Sequence, residues 1–218
     1  MEKKYKTIPE GNMLRIIALK NFYNVEKGDK GGLIEKETNL SQEGDCWIYY
    51  GAMVFEDAVI SDNVRVYDNA RVYGKARVYE DAGVYNNAQI YGEARVHGMA
   101  RISEFAQVYG NTEVYEYANI FGEAEVGGNA KICGIVQIYR NAEVSGNVKL
   151  WSTRVSGIIT SVENNKDYIM FGDKDRKGFR IFSSNMKFQN EDNNIITITA
   201  INYLNNIQTI RQIYGKEI

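Results

Sequence analysis

The sequence predicts a mainly β fold: a parallel β-solenoid of about six triangular coils, carrying an N-terminal cap and a small C-terminal α+β domain. Three observations carry this expectation. An aliphatic residue returns every six positions from Ile48 to Leu150, a small residue stands two places before it, and Gly, Asn and Asp recur between the hexads.

The aliphatic column starts Ile48, Val54, Ile60, Val66 and closes Ile138, Val144, Leu150, with a β-branched residue at every step but the last. The small column starts Cys46, Ala52, Ala58 and is mostly Ala as far as Ala142 and Val148. Side chains two apart share one face of a strand, so both columns point inward and their immediate neighbours point outward. The two remaining positions make a corner, as in Gly74-Lys75, Asn86-Asn87, Gly110-Asn111 and Gly146-Asn147, where positive φ is needed. One corner per hexad gives a triangle of three hexads, and the stack is roughly 29 Å tall at about 4.8 Å per layer. A helix fails, because apolar residues six apart do not stay on one face of a 3.6-residue turn. A pentapeptide solenoid fails on period. Proline occurs once, at Pro9, so Gly and Asn make the turns.

One coil cannot bury its own face, so stacking and end caps are required. The cap is expected at 1–45, with a strand over Leu14–Leu19. Its Gly28-Asp29-Lys30-Gly31-Gly32 run lacks phosphate-loop spacing and reads as a turn. The β-helix is expected at 46–151. From 152 to 218 the hexads stop and a small α+β domain is expected. Its strands are read at Ile158–Val162, Asp167–Phe171, Phe179–Phe182 and Ile195–Ile198, with a loop at Gly172–Gly178. An amphipathic helix is read from Ile201, Leu204, Ile207, Ile210 and Ile213, with Thr199 as N-cap.

The net charge of −2 and pI near 5.6 give no bulk attraction to DNA or RNA, so nucleic acid is not an expected partner. Cys46 and Cys133 form no zinc or redox motif and suit a reducing compartment. No stretch reaches the length of a membrane span, so a soluble cytoplasmic protein is expected, with no membrane, metal or cofactor.

Hexads such as "VYGKAR", "IYGEAR" and "IFGEAE" are similar to those of the hexapeptide-repeat family. That resemblance implies left-handed coils, frequent trimers, and acyl transfer with a histidine general base beside a loop extruded from the coils. The entry segment Leu14–Tyr49, "LRIIALKNFYNVEKGDKGGLIEKETNLSQEGDCWIY", resembles a narrower acyltransferase-like group found in bacteria and their phages, which has no settled activity.

The chemistry expected of such an enzyme has one candidate base, His97. Its register places it outward after Val96, in a ladder between Tyr79 and Tyr115, on a flat strand with no loop to enclose substrate. Arg95 disfavours its protonated form, and no orienting acceptor is expected beside it. No metal cluster or Ser-His-Asp set appears, and corner acids such as Asp81 and Glu93 read as solvated turns.

The outward residues sort into three faces. The first carries Phe55, Tyr73, Tyr91 and Tyr109 with Arg71, Gln89 and Gln107. The second carries Arg77, Tyr79, Arg95, His97, Glu113, Tyr115, Lys131, Lys149 and Trp151. The third carries Tyr67, Tyr85, Phe121 and Tyr139 with Arg65 and Arg101. So many outward aromatics read either as cross-coil stacking or as interfaces. Tyr73, Tyr91, Tyr109 and Arg71 are the candidate interface of a homotrimer. Arg77, Arg95, Tyr79, His97, Tyr115 and Lys131 are the candidate ligand-binding set, with Arg for phosphate and Tyr for base stacking. The leading function is a non-catalytic oligomeric, phage-type binding protein that sequesters a small anionic nucleotide-like ligand or a host protein. An acyl-CoA-dependent acyltransferase and a structural spacer presenting the C-terminal domain stay open beside it.

Overall fold

A computed structural model describes residues 2–151 and 154–155, and beyond them the strands Ile158–Ser161, Tyr168–Met170, Arg180–Phe182, Asn185–Gln189 and Ile195–Thr199. The hexad column forms a parallel β-solenoid. From Ile48 to Leu150 every column residue is fully buried, and each such Val or Ile contributes roughly 1.5–3 kcal/mol. Strands of two or three residues pair with those eighteen positions on, as in Gly83↔Arg101 and Val84↔Ile102. The second-face sheet has six strands and the third-face sheet seven, one per coil. The solenoid therefore has about seven coils rather than six.

The extra turn lies outside the periodic column. Strand β1 (Tyr5–Glu10) pairs antiparallel with β2 (Met13–Ala18), and β2 pairs antiparallel with β3 (Lys30–Ile34). Strand β3 then joins the first face in parallel, with Ile34 opposite Val54, and Leu40 bridges Ile60. Those partners lie twenty residues apart, because Leu40 and Ile48 are separated by eight residues instead of six. At the other end Val155 pairs with Ile138, seventeen residues on, and Ile159 with Val144, fifteen on. Gly31 and Gly32 lie where the cap closes on the first coil. A Cβ on Gly31 would come within 2.5 Å of the Ile16 side chain, and one on Gly32 within 2.4 Å of that of Ile48. Close packing explains the glycines.

The first of the two corner residues in each hexad has positive φ from Glu56 to Gly146. Glycine fills half of these places, but Glu56, Glu80, Glu104, Glu116 and Arg140 fill others, which the Gly/Asn/Asp expectation did not foresee. Such a conformation costs a non-glycine residue about 1 kcal/mol or more. Several of these side chains accept a hydrogen bond from the backbone N–H one coil above. Glu56 takes Gly74 N at 2.8 Å, Asp62 takes Glu80 N at 2.9 Å, and Glu80 takes Gly98 N at 2.8 Å. A bond of this kind contributes about 1 kcal/mol and offsets the strain.

Beyond the coils, Ile158–Ser161 pairs antiparallel with Asn185–Gln189, which pairs with Ile195–Thr199; Tyr168–Met170 forms a hairpin with Arg180–Phe182. The helix read from Ile201 to Ile213 lies outside the described residues.

Candidate functional site

The second face is built from strands starting at Val59, Arg77, Arg95, Glu113, Lys131 and Lys149. Because the register repeats every eighteen residues, Arg77 stands directly opposite Arg95. Both are exposed, and neither makes an ion pair or side-chain hydrogen bond among the described residues. Like charges directly opposite one another destabilise a ladder. Between these arginines, Tyr79, and the Val59, Ser61 and Asp62 edge lies an open groove of ≈ 420 Å³. Asp62 is occupied, since its carboxylate accepts from Glu80 N and the Ser61 hydroxyl. Burial, then Glu113 and Glu80, push the Tyr79 phenol up, so it stays a hydrogen-bond donor.

His97 stacks on Tyr79 at 4.6 Å between centroids and on Tyr115 at 5.2 Å, with interplanar angles of 6° and 5°. Among the described residues no acceptor lies within hydrogen-bond distance of its ring nitrogens, but two carboxylates flank it. Nδ1 lies 3.6 Å from a Glu80 carboxylate oxygen, and Nε2 lies 3.7 Å from one of Glu113. Nε2 is buried and has no hydrogen-bond partner. Glu113 resists burial and is held below the usual carboxylate range by Lys131, 3.1 Å away, and by His97.

The structure therefore divides the expected ligand set. Arg77, Arg95 and Tyr79 share the groove, and His97 and Tyr115 continue the ring column above it. Lys131 is separate, because Glu113 intervenes and neutralises it. Cys133 follows Tyr115 in the same column, 4% exposed, and the hydrogen bond that the Tyr115 hydroxyl donates to its sulfur is the leading cause, ahead of burial, that pushes that phenol up. The eighteen-residue spacing identifies Cys133 directly. Glu80 gives no such signal, since it lies at a corner. The other corner acids are also engaged: Asp81 accepts from Asn63, and Glu93 pairs with Lys75.

On the first face Phe55, Tyr73, Tyr91 and Tyr109 stack at 4.9, 5.0 and 5.3 Å. The Tyr73 and Tyr91 hydroxyls donate to Gln89 and Gln107. These rings are half-buried by each other. Arg71 is exposed beside them, paired in the ladder with Met53 and Gln89. Among the strongly exposed apolar side chains, Met99, Tyr117 and Ile135 stand eighteen apart along one corner. A second open groove on the first face is acidic, lined by Phe105, Glu123, Glu125 and Glu143. Among the described residues no cluster of His, Cys, Asp and Glu is placed to hold a metal, and no helix is long and apolar enough to cross a membrane.

No family model matches the chain. A curated relative, described as the uncharacterised acetyltransferase YdcK of Escherichia coli strain K12, is 50% identical over 46 residues. The match takes in 21% of this chain and 14% of that relative's length. Over that segment the chain is similar to an acetyltransferase, and its eighteen-residue coils are those of a hexapeptide-repeat β-solenoid.

Proposed function

We propose that the protein is a non-catalytic, oligomeric binding protein that holds a small anion in the second-face groove. The observation that carries this reading is the Arg77–Arg95 pair, two exposed arginines opposite each other in the ladder, neither with an ion-pair partner among the described residues. A phosphoryl or carboxylate group bridging them replaces repulsion with charge-assisted hydrogen bonds. Tyr79 supplies a hydroxyl donor and a ring beside the anion. The oligomer is a homotrimer built through Tyr73, Tyr91, Tyr109 and Arg71 on the first face. The buried free thiols of Cys46 and Cys133 suit the cytoplasm.

Calorimetric titration with ADP tests the site, and native mass spectrometry of the same sample tests the trimer. Arg77→Ala with Arg95→Ala is expected to weaken ADP binding by at least about a hundredfold, given roughly 1.5–3 kcal/mol per charged hydrogen bond. Unchanged binding sinks the site, and a mass near that of one 24.8 kDa chain sinks the trimer.

Acetyl transfer is the second reading, favoured by the acetyltransferase relative and by the Glu80–His97–Glu113 arrangement. Acetyl-CoA turnover lost in His97→Phe, with the fold intact, would decide for the enzyme. Under the binding reading His97→Phe keeps both fold and ADP affinity.

A further inference from the structure

The loop between β2 and β3 turns tightly, with Phe22 and Val25 exchanging backbone hydrogen bonds of 3.1 and 2.8 Å. Tyr23 sits at its tip with φ 44° and 66% of its surface exposed. A bulky residue with positive φ is a backbone outlier that costs of order 1–3 kcal/mol, and glycine would serve the turn without that cost. The Tyr23 ring makes one contact that the turn does not need. The Arg65 guanidinium lies over it, with Cζ 3.6 Å from the ring centroid.

Arg65 is itself unresolved as a structural residue. It begins the strand Arg65–Val66 on the third face, half-buried, and its Nε is buried without a hydrogen-bond partner. Among the described residues its side chain makes no ion pair or hydrogen bond. Stacking on Tyr23 satisfies the face of the guanidinium but leaves its in-plane N–H donors unused. Its ladder neighbours are Trp47 on one side and Gly83 on the other. Gly83 has no side chain to cover it, and the Tyr85 hydroxyl lies 2.2 Å from where a Cβ would stand. Tyr49, Tyr67 and Tyr85 stack along the same face at 3.9 and 5.5 Å, and the Tyr49 hydroxyl donates to Asn24 in the same turn. The result is an unpaired cation among tyrosine rings, one of which keeps an open face.

We infer that Arg65 and Tyr23 form a second binding site, distinct from the second-face groove, for a small anion carrying a planar ring. The ligand class is an aromatic ring bearing a phosphoryl or carboxylate group, of nucleoside monophosphate size. The guanidinium Nη–H edge donates to the oxyanion, while the ring stacks on the open face of Tyr23. The strained turn is the means by which that ring is presented.

The test is calorimetric titration of AMP, ribose 5-phosphate and adenosine into the Arg77→Ala/Arg95→Ala protein, where the groove cannot contribute. AMP is expected to bind about tenfold or more tighter than either fragment. Arg65→Lys keeps the charge but loses the planar fork, and is expected to weaken AMP about tenfold. Tyr23→Gly relieves the turn, so its melting temperature is expected to equal or exceed the parent's while AMP affinity falls by a similar factor. AMP binding no tighter than the fragments, no binding at all, or undiminished affinity in Tyr23→Gly each overturns the inference. A fall in ADP affinity in Arg77→Ala/Arg95→Ala with AMP affinity unchanged, and a fall in AMP affinity only on adding Arg65→Lys, separates the two sites.

Discussion

The coils and the cap solve burial differently. Between Ile48 and Leu150 the interior is apolar apart from Thr112, and every coil is held to the next by the same backbone ladder. The cap instead buries Lys4, Arg15 and Asn39. Lys4 Nζ donates to the carbonyls of Glu43, Gly44 and Cys46 at 3.2, 3.2 and 3.0 Å. Arg15 pairs with Glu10 and donates to Gly31 O at 2.8 Å. The Asn39 amide donates to the Glu56 and Ala58 carbonyls at 2.9 and 2.8 Å and accepts from Lys36 N at 2.9 Å. A repeat spreads stability over many equal contacts. A cap occurs once and must satisfy the open end of the ladder with side chains, so its stability rests on few groups.

The harshest way to break this comparison is Val84→Asp in the middle of the stack. It buries an unpaired carboxylate between Val66 and Ile102, and several kcal/mol are expected to be lost, enough to prevent soluble expression. Tyr85→Asp, one residue on and half-buried, loses one stacking contact and about 1 kcal/mol. Equal unfolding midpoints in denaturant for the two variants would show the register to be wrong.

Asn39→Ala comes next. It strands two carbonyls and one N–H at the first coil and is expected to cost roughly 2–4 kcal/mol. Hydrogen exchange should show residues 2–45 opening while the central coils stay protected. Uniform loss of protection would mean that cap and coils form one cooperative unit.

The smallest effect concerns Glu113. Its carboxyl is held low by Lys131 and His97 against the effect of burial. A group depressed in the folded state stabilises the fold at pH above its unfolded value and loses that contribution as pH falls through the folded one. Glu113→Gln is therefore expected to lower the melting temperature slightly at neutral pH and to match the parent in acid. A difference that persists in acid would assign the effect to shape, not charge.

How much of this was legible follows the same division. The column from Ile48 to Leu150 and the Tyr79–His97–Tyr115 ladder could be read directly, because period six and period eighteen survive without interruption. Ile34, Leu40 and Val155 occupy inward places but fall outside the period, since spacings of eight and five break the count. Strand β1 gave no alternation, with Lys6, Thr7, Pro9 and Glu10 facing solvent or half-exposed; as the sheet's edge strand it tolerates the proline. Glu80 reaches His97 from a corner. Tyr23 meets Arg65 only because a turn forty residues upstream folds onto the third face, and no local pattern encodes that contact.

The corner ladder has a consequence for how this chain can change length. The same backbone ladder links each coil to the next, so every column is indifferent to which coil it occupies. Duplicating or deleting a block of eighteen residues adds or removes one storey of about 4.8 Å and leaves both ends as they were. An insertion of any other size must leave the triangle as a loop or shift every column above it. The fold is thus a body whose height changes only in whole coils, and its side-wall sites can be copied or spaced by the same unit.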